Sequence, residues 1–175
     1  LLDEIMDTPV GMEEPFFYRN KAQFPFGYDK EGNVITGFYA GRTHSIIANT
    51  DCALGVKENK EILECILEFM KSEGISAYNE ETGEGLLRHV LLRKGFSTGQ
   101  IMVCLVVNGN RIPYVEKLIE KLILIEGMTS ISLSINKERT NVIMGTDIRL
   151  LWGKERIEDT IGDLTFTISP LSFFQ

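Results

Sequence analysis

Short runs of alternating hydrophobic and polar residues recur along the chain, and a period of two predicts β-strands. We predict strands over residues 18–26, 34–39 and 44–48, with the turn-rich stretch 27–33 forming a hairpin loop between the first two. Further strands are predicted over residues 86–93, 100–107, 131–135, 147–152 and 164–168. The strand over 100–107 is apolar on both faces, so we expect it to lie centrally and to be covered on both sides.

Two segments carry apolar residues at the spacing of an amphipathic helix. The first covers residues 56–71 and is followed by Gly74, a residue type that favours helix ends. Its apolar face consists of Ile62, Leu63, Ile66, Leu67, Phe69 and Met70. The second is predicted to begin at Pro113, which suits the first helical position, and to end at Gly127. Its buried stripe is predicted to be Val115, Leu118, Ile119, Leu122 and Ile125.

This order of elements predicts an α+β fold. Helix, strand, strand, helix and strand follow one another in the middle of the chain, with strands on either side. We expect an antiparallel sheet backed by two helices, with the character of a split βαβ (ferredoxin-like) unit and additional N- and C-terminal strands. Residues 1–17, which contain Pro9, Gly11 and Pro15, are predicted to be a lead-in or linker.

Composition places the chain among globular proteins. Of its 175 residues, 43% are hydrophobic and 25% are charged, and no apolar run approaches the roughly 18 residues of a membrane-spanning helix. The three cysteines form no CxxC pair, so we predict a reducing cytoplasm, and we expect Cys65 and Cys104 to be core residues. The chain opens on Leu-Leu and stops inside an apolar stretch, which indicates a piece of a longer protein.

The net charge of −7 argues, taken whole, against binding to nucleic acid. The charges are unevenly distributed, however, because residues 18–48 sum to +2 and residues 86–111 hold four basic residues and no acidic one. A local basic face of this kind can bind phosphate groups. The alternative is that these residues are solvated surface positions without a binding role.

Familiar catalytic motifs are absent from the sequence. It contains no GxGxxG after a strand, no GxxxxGK[ST], no HExxH and no Gly-x-Ser-x-Gly, and its two histidines, His44 and His89, lie in different segments. The residue pattern by itself therefore predicts a non-catalytic α+β module with a basic sector.

Five strings of the sequence resemble the RNA (uracil-5-)-methyltransferase family, which acts on ribosomal or transfer RNA. They occur in the family's order and are YRNKAQ (18–23), GFYAGRTHSII (37–47) followed by Cys52, LLRHVLLR (86–93), TNVIMG (140–145) and ISPLSFFQ (168–175). The resemblance identifies residues 18–168 as the family's central domain and residues 169–175 as the start of a truncated S-adenosylmethionine-binding domain.

The resemblance implies a division of labour within the complete protein. A cysteine thiolate of the family adds to C6 of a flipped uracil, C5 accepts the methyl group, and a carboxylate removes the C5 proton. Both groups belong to the family pattern beyond Gln175, so this fragment is expected to hold no catalytic residue and to bind no cofactor by itself. In the complete protein, Gln175 would contact S-adenosylmethionine, and Cys52 matches the fourth ligand of the [4Fe–4S] cluster that many members hold.

RNA is the partner that the resemblance implies, with no DNA and no membrane. The candidate RNA-binding residues are Arg19, Lys21, Arg42, His44, Arg88 and Arg93. In a regular strand, Arg88 and Arg93 would point to opposite faces, so one of them is predicted to be structural unless a bulge re-aims it. Phe38 and Tyr39 are candidates for stacking on bases, with a core role as the alternative for one of them. The competing hypothesis for the whole chain is a stand-alone RNA- or protein-binding module without enzymatic activity.

Overall fold

The computed structural model describes residues 5–41 and 43–172, and it contains nine strands and two helices within those ranges. In chain order these elements are β1 (Lys21–Tyr28), β2 (Val34–Tyr39), β3 (Ile46–Ala48), α1 (Glu58–Glu73), β4 (Leu87–Lys94), β5 (Ile101–Val107), α2 (Val115–Leu122), β6 (Met128–Ile135), β7 (Asp147–Gly153), β8 (Ile157–Ile161) and β9 (Leu164–Ile168). No helix in the described part of the chain is long and apolar enough to cross a membrane.

Seven strands form one sheet in the order β3-β2-β1-β4-β5-β6-β7, and β8 and β9 form a separate hairpin. The α+β class with two helices is confirmed. The sheet differs from the prediction in being mixed, because β5 and β6 run parallel while the other neighbours are antiparallel. Parallel neighbours need a long crossover, and α2 provides it. Since β5 and β6 are adjacent, no strand separates them as it would in a split βαβ unit.

The main core lies between the sheet and the two helices. Phe24 of β1, Ile62 and Ile66 of α1, and Leu118 of α2 belong to one cluster of buried side chains. All seven residues of β5 are buried, which confirms its predicted central position. A smaller cluster of Leu91, Cys104, Val106 and Met144 covers the opposite face of the sheet.

The ends of the helices differ in how well the sequence predicted them. Gly74 caps α1 in the left-handed conformation and donates its backbone N–H to the Met70 carbonyl, as the sequence predicts. Helix α2 begins at Val115 rather than at Pro113, because Tyr114 adopts a left-handed backbone conformation with φ 56°. It also ends at Leu122, before the turn that leads to Gly127.

A β-bulge interrupts the pairing of β4 with β5 between Leu87 and His89. Alternate residues of a strand share a face, so His89, Leu91 and Arg93 lie on the same side of the sheet. Arg88 lines the same cleft as His89 and therefore shares that side. The bulge thus places both arginines of β4 on the face away from the helices, where a regular strand would have separated them.

Candidate functional site

A cleft of about 190 Å³ lies on the sheet face that the helices leave uncovered. Four separate segments of the chain line it, and they contribute Tyr39, His44, Glu80, Arg88, His89, Thr140, Asn141, Val142 and Ile143. Three of these segments coincide with strings that carry the family resemblance, at residues 37–47, 86–93 and 140–145. Segments far apart in the sequence therefore meet at one place in the fold.

Arg88 forms the floor of the cleft and is only 2% exposed. Its Nη1 donates hydrogen bonds to the backbone carbonyls of Asn136, at 3.1 Å, and Glu138, at 2.8 Å. Its Nη2 lies 3.5 Å from the Glu80 carboxylate, and the guanidinium carbon lies 4.3 Å from the centroid of the Tyr78 ring. These contacts tie β4 to the segment that follows β6, so the guanidinium acts as an internal brace.

His89 lies beside Arg88 and is 4% exposed. Burial, together with the positive charge of Arg88, lowers the pKa of His89 to about 4, so the imidazole is neutral at pH 7. Its Nε2 lies 3.4 Å from the Tyr39 hydroxyl. Its Nδ1 is buried and has no hydrogen-bond partner among the described residues.

Two aromatic rings form one side of the rim. The Tyr39 and His44 rings meet edge to face, with centroids 5.7 Å apart. Burial and the nearby Glu80 raise the pKa of Tyr39 to about 12, although Arg88 opposes the shift, so the hydroxyl stays protonated at neutral pH. Phe38, the other stacking candidate, instead packs against the core residue Phe24 with ring centroids 5.2 Å apart.

The segment that forms the other side of the rim is held by side chains of β6 and of the residue that follows it. Asn136 donates both amide hydrogens, to the carbonyls of Val142 at 2.7 Å and Ile143 at 2.9 Å. The Gly145 backbone N–H donates to the Ser134 hydroxyl at 2.9 Å. A Cβ atom at Gly145 would lie 1.7 Å from the Ile135 carbonyl oxygen, so only glycine permits this close approach.

The candidate RNA-binding residues fall into different environments. Arg19 is exposed and precedes β1, which begins at Lys21 rather than at residue 18, so strand alternation does not relate the two side chains. Lys21 is half-buried, and burial, together with the charge of Arg93, lowers its pKa. His44 is exposed at the cleft rim. Arg42 and Gln175 lie outside the described residues.

Arg93, like Arg88, is an interior residue, with 6% exposure. Its Nη2 donates to the backbone carbonyls of Ser172 and, at 3.5 Å, Pro170. Arg93 thereby holds the segment that follows β9 against the sheet. The sequence predicts one structural arginine in β4 unless a bulge re-aims a side chain, whereas in the structure both guanidinium groups donate to backbone carbonyls.

Cys52 is half-buried in the loop between β3 and α1. Cys104 is buried in the core as predicted, and burial raises its pKa to about 11 although Ser132 and Arg93 oppose the shift. Within residues 5–41 and 43–172, no group of three or more His, Cys, Asp or Glu side chains could hold a metal ion. These residues by themselves therefore do not form a cluster site.

The sequence did not identify His89, Thr140 and Asn141 as residues that line a cleft. In the sequence, His89 is a histidine without metal spacing, and Thr140 and Asn141 belong to a string that resembles the family. The available signal was that the strings 37–47, 86–93 and 140–145 all contain polar or aromatic residues. Their convergence on one cleft depends on the pairing of β1, β2 and β4 and on the course of the chain after β6.

The sheet, its two helices and the cleft define an α+β domain in which polar and aromatic side chains surround a small binding space. No family model matches the chain. It is 42% identical over 175 residues to an uncharacterized RNA methyltransferase of Clostridium tetani, which covers 99% of this chain and 38% of that protein. It is 45% identical over 167 residues to an uncharacterized RNA methyltransferase of Halalkalibacterium halodurans, which covers 95% of this chain and 36% of that protein.

One solved structure extends the similarity to the fold. The tRNA (uracil-54, C5)-methyltransferase of Pyrococcus abyssi, in complex with S-adenosyl-L-homocysteine, matches with a TM-score of 0.75 and 31% identity over 93% of this chain and 38% of that one. The resemblance to RNA methyltransferases is confirmed, and the chain is a relative of these enzymes over almost its whole length. It spans about 38% of the length of the relatives it matches.

Proposed function

We propose that the chain is the central, substrate-positioning part of an S-adenosylmethionine-dependent RNA (uracil-5-)-methyltransferase that works in the cytoplasm. The observation that carries this proposal is the match of 93% of the chain to the tRNA (uracil-54, C5)-methyltransferase, at 31% identity and a TM-score of 0.75. The domain bounds that we propose are 1–17 for the lead-in, 18–168 for the central domain and 169–175 for the start of the next domain.

In this proposal the chain binds and orients RNA, and the nucleophile and the general base come from other parts of the complete enzyme. S-adenosylmethionine supplies the methyl group when it is bound, and Gln175 is the residue of this chain that we assign to its site. Arg93 contributes indirectly, because its contacts to Pro170 and Ser172 fix the segment that leads to Gln175. Methylation of a uridine-containing RNA by the complete protein, followed by mass spectrometry of the nucleosides, tests the assignment.

Arg19, the exposed basic residue that precedes β1, is our first choice for phosphate contacts. Replacing Arg19 with alanine in the complete enzyme should weaken RNA binding and reduce the slope of log affinity against log salt by about 0.7–0.9, the contribution of one released counterion. Lys21→Ala should act in the same direction. Affinity for S-adenosylmethionine should be unchanged, which isothermal calorimetry can measure in parallel with salt-dependent RNA binding.

The control for this experiment is Glu64→Ala, because Glu64 is exposed on α1. It should leave both the affinity and the salt slope as they are. If Arg19→Ala and Lys21→Ala behave like Glu64→Ala, the basic sector is a solvated surface without a role in RNA binding. His44 and Arg42 also remain in the proposed RNA surface, whereas the interior positions of Arg88 and Arg93 lead us to leave those two out of the residues that contact phosphate groups.

We also propose that Cys52 supplies one ligand to a [4Fe–4S] cluster in the complete protein, with the other thiolates coming from outside this chain. Cys52→Ser should then lower the iron content of protein purified without oxygen, while circular dichroism shows the fold retained. Cys65→Ser, a change at a half-buried cysteine of α1, is the matched control. Equal iron in wild type and Cys52→Ser would make Cys52 an ordinary loop residue.

A further inference from the structure

We infer that the cleft between Tyr39, His44, His89 and the segment 140–143 receives one unstacked base of the RNA. This inference rests on the proposed function, since it names the part of the RNA that the cleft would bind. The cleft measures about 190 Å³, below the roughly 300–1,000 Å³ of pockets that enclose drug-sized ligands. It has room for a single ring system and its immediate substituents.

The rim offers surfaces that a planar ring can stack on. Tyr39 and His44 present exposed rings on one side, and Val142, which is 50% exposed, contributes an apolar surface to the same cleft. Proteins that bind single-stranded RNA commonly stack unpaired bases on aromatic side chains. The exposure of these apolar groups around a concave site is otherwise unfavourable, because it leaves them in contact with water.

Two side chains that line the cleft carry nitrogen atoms that no other described residue pairs with. His89 Nδ1 and Arg88 Nε are buried nitrogen atoms without partners among the described residues, and their side chains are 96% or more buried. Buried polar atoms are normally paired, so two unpartnered nitrogen atoms in side chains that line one cleft favour a ligand with hydrogen-bonding groups. A neutral histidine whose Nε2 is engaged by Tyr39 offers one donor or one acceptor at Nδ1.

The charges around the cleft favour a base over a phosphate group. The positive charge of Arg88 is neutralised at the floor by Glu80, 3.5 Å away. A wider groove of about 790 Å³ shares Tyr39, His44 and Glu80 with the cleft. Among the described residues, its other lining side chains include the acidic Asp29, Glu31 and Glu81 against one basic residue, Lys30. A phosphate would be repelled there, whereas the neutral, hydrogen-bonding edge of a base would not.

The test is a double-mutant cycle between the cleft and the RNA, carried out with the complete enzyme. The affinity of wild type and of Tyr39→Leu is measured for the intact RNA substrate and for a set of RNAs that each lack one base. We expect Tyr39→Leu to weaken binding of the intact RNA by about tenfold, as the loss of one stacked base does. One base deletion should weaken wild type by a similar factor and have no further effect on Tyr39→Leu.

Three further variants make the result specific. Tyr39→Phe keeps the ring and should retain most of the affinity, and Tyr114→Leu, a change at an exposed tyrosine before α2, should bind like wild type. His44→Ala alters an exposed side chain and should show the same coupling to the same base. If Tyr39→Leu fails to fold, the double-mutant cycle is measured with His44→Ala instead.

The outcomes separate this inference from the function it rests on. If the wild type binds RNA with the expected salt dependence and no base deletion couples to Tyr39 or His44, the inference is overturned while the proposed function stands. If Tyr39→Leu weakens the binding of every RNA in the set by the same factor, the cleft binds a group other than a base, which also overturns it. If the complete protein binds no RNA at all, both proposals fail.

Discussion

Replacing Arg88 with alanine is expected to lower the free energy of unfolding by about 3–5 kcal/mol, a large part of the roughly 5–15 kcal/mol that stabilises a typical domain. The substitution leaves the carbonyls of Asn136 and Glu138 without their donor, and it removes the partner of Glu80. Each buried polar group left unpaired costs about 1–3 kcal/mol. Urea unfolding followed by the fluorescence of Trp152, the single tryptophan, measures the change.

Two further substitutions show whether the geometry of the guanidinium matters. Arg88→Lys keeps the positive charge but lacks the planar fork that reaches two carbonyls at once, so it should lose a substantial part of the same free energy. Arg156→Ala, a change at an exposed arginine, should alter stability by no more than about 0.5 kcal/mol. If Arg88→Ala were as mild as Arg156→Ala, Arg88 would not be the brace that its contacts indicate.

Lowering the pH from about 6.5 to about 4 is expected to reduce the free energy of unfolding by about 3 kcal/mol through His89 alone. The pKa of His89 is about 4 in the folded protein and about 6.5 in an unfolded chain, so in this range the unfolded state binds a proton that the folded state does not. The contribution is fully present above pH 6.5 and is lost as the pH falls towards 4. Urea unfolding at a series of pH values measures it.

The comparison that isolates this effect is His89→Asn, which has no imidazole to titrate. Other groups also titrate in this range, so the informative quantity is the difference between the wild-type and His89→Asn curves. The free energy of unfolding of the wild type minus that of His89→Asn should fall steadily as the pH is lowered from 6.5 to 4. Parallel curves for wild type and His89→Asn would contradict the neutral, buried state of His89.

The local spacing of apolar residues was sufficient to predict several elements, including β9, which is largely exposed. The predicted strand over 34–39 coincides with β2, and the predicted strand over 164–168 coincides with β9. Helix α1 also lies where its apolar spacing places it, and the fully apolar strand is the central one. These segments show a regular short-range spacing of apolar residues, which can be recognised in the sequence alone. The sequence did not predict the polar strand β8, because its Glu-Asp-Thr stretch lacks an alternation of apolar and polar residues.

Only the tertiary structure decided what the arginines and histidines of the chain do. The backbone carbonyls that accept hydrogen bonds from Arg88 lie 48 and 50 residues away in the sequence, and those that accept from Arg93 lie 77 and 79 residues away. The bulge after Leu87 turns Arg88 to the side of His89, a change of face that strand alternation could not predict. The sequence by itself determined the class of fold, the central strand and the family to which its strings are similar. The cleft could not be predicted from the sequence alone. Its walls come from several segments, and local periodicity describes each segment separately, whereas the pairing of strands in the sheet brings them together.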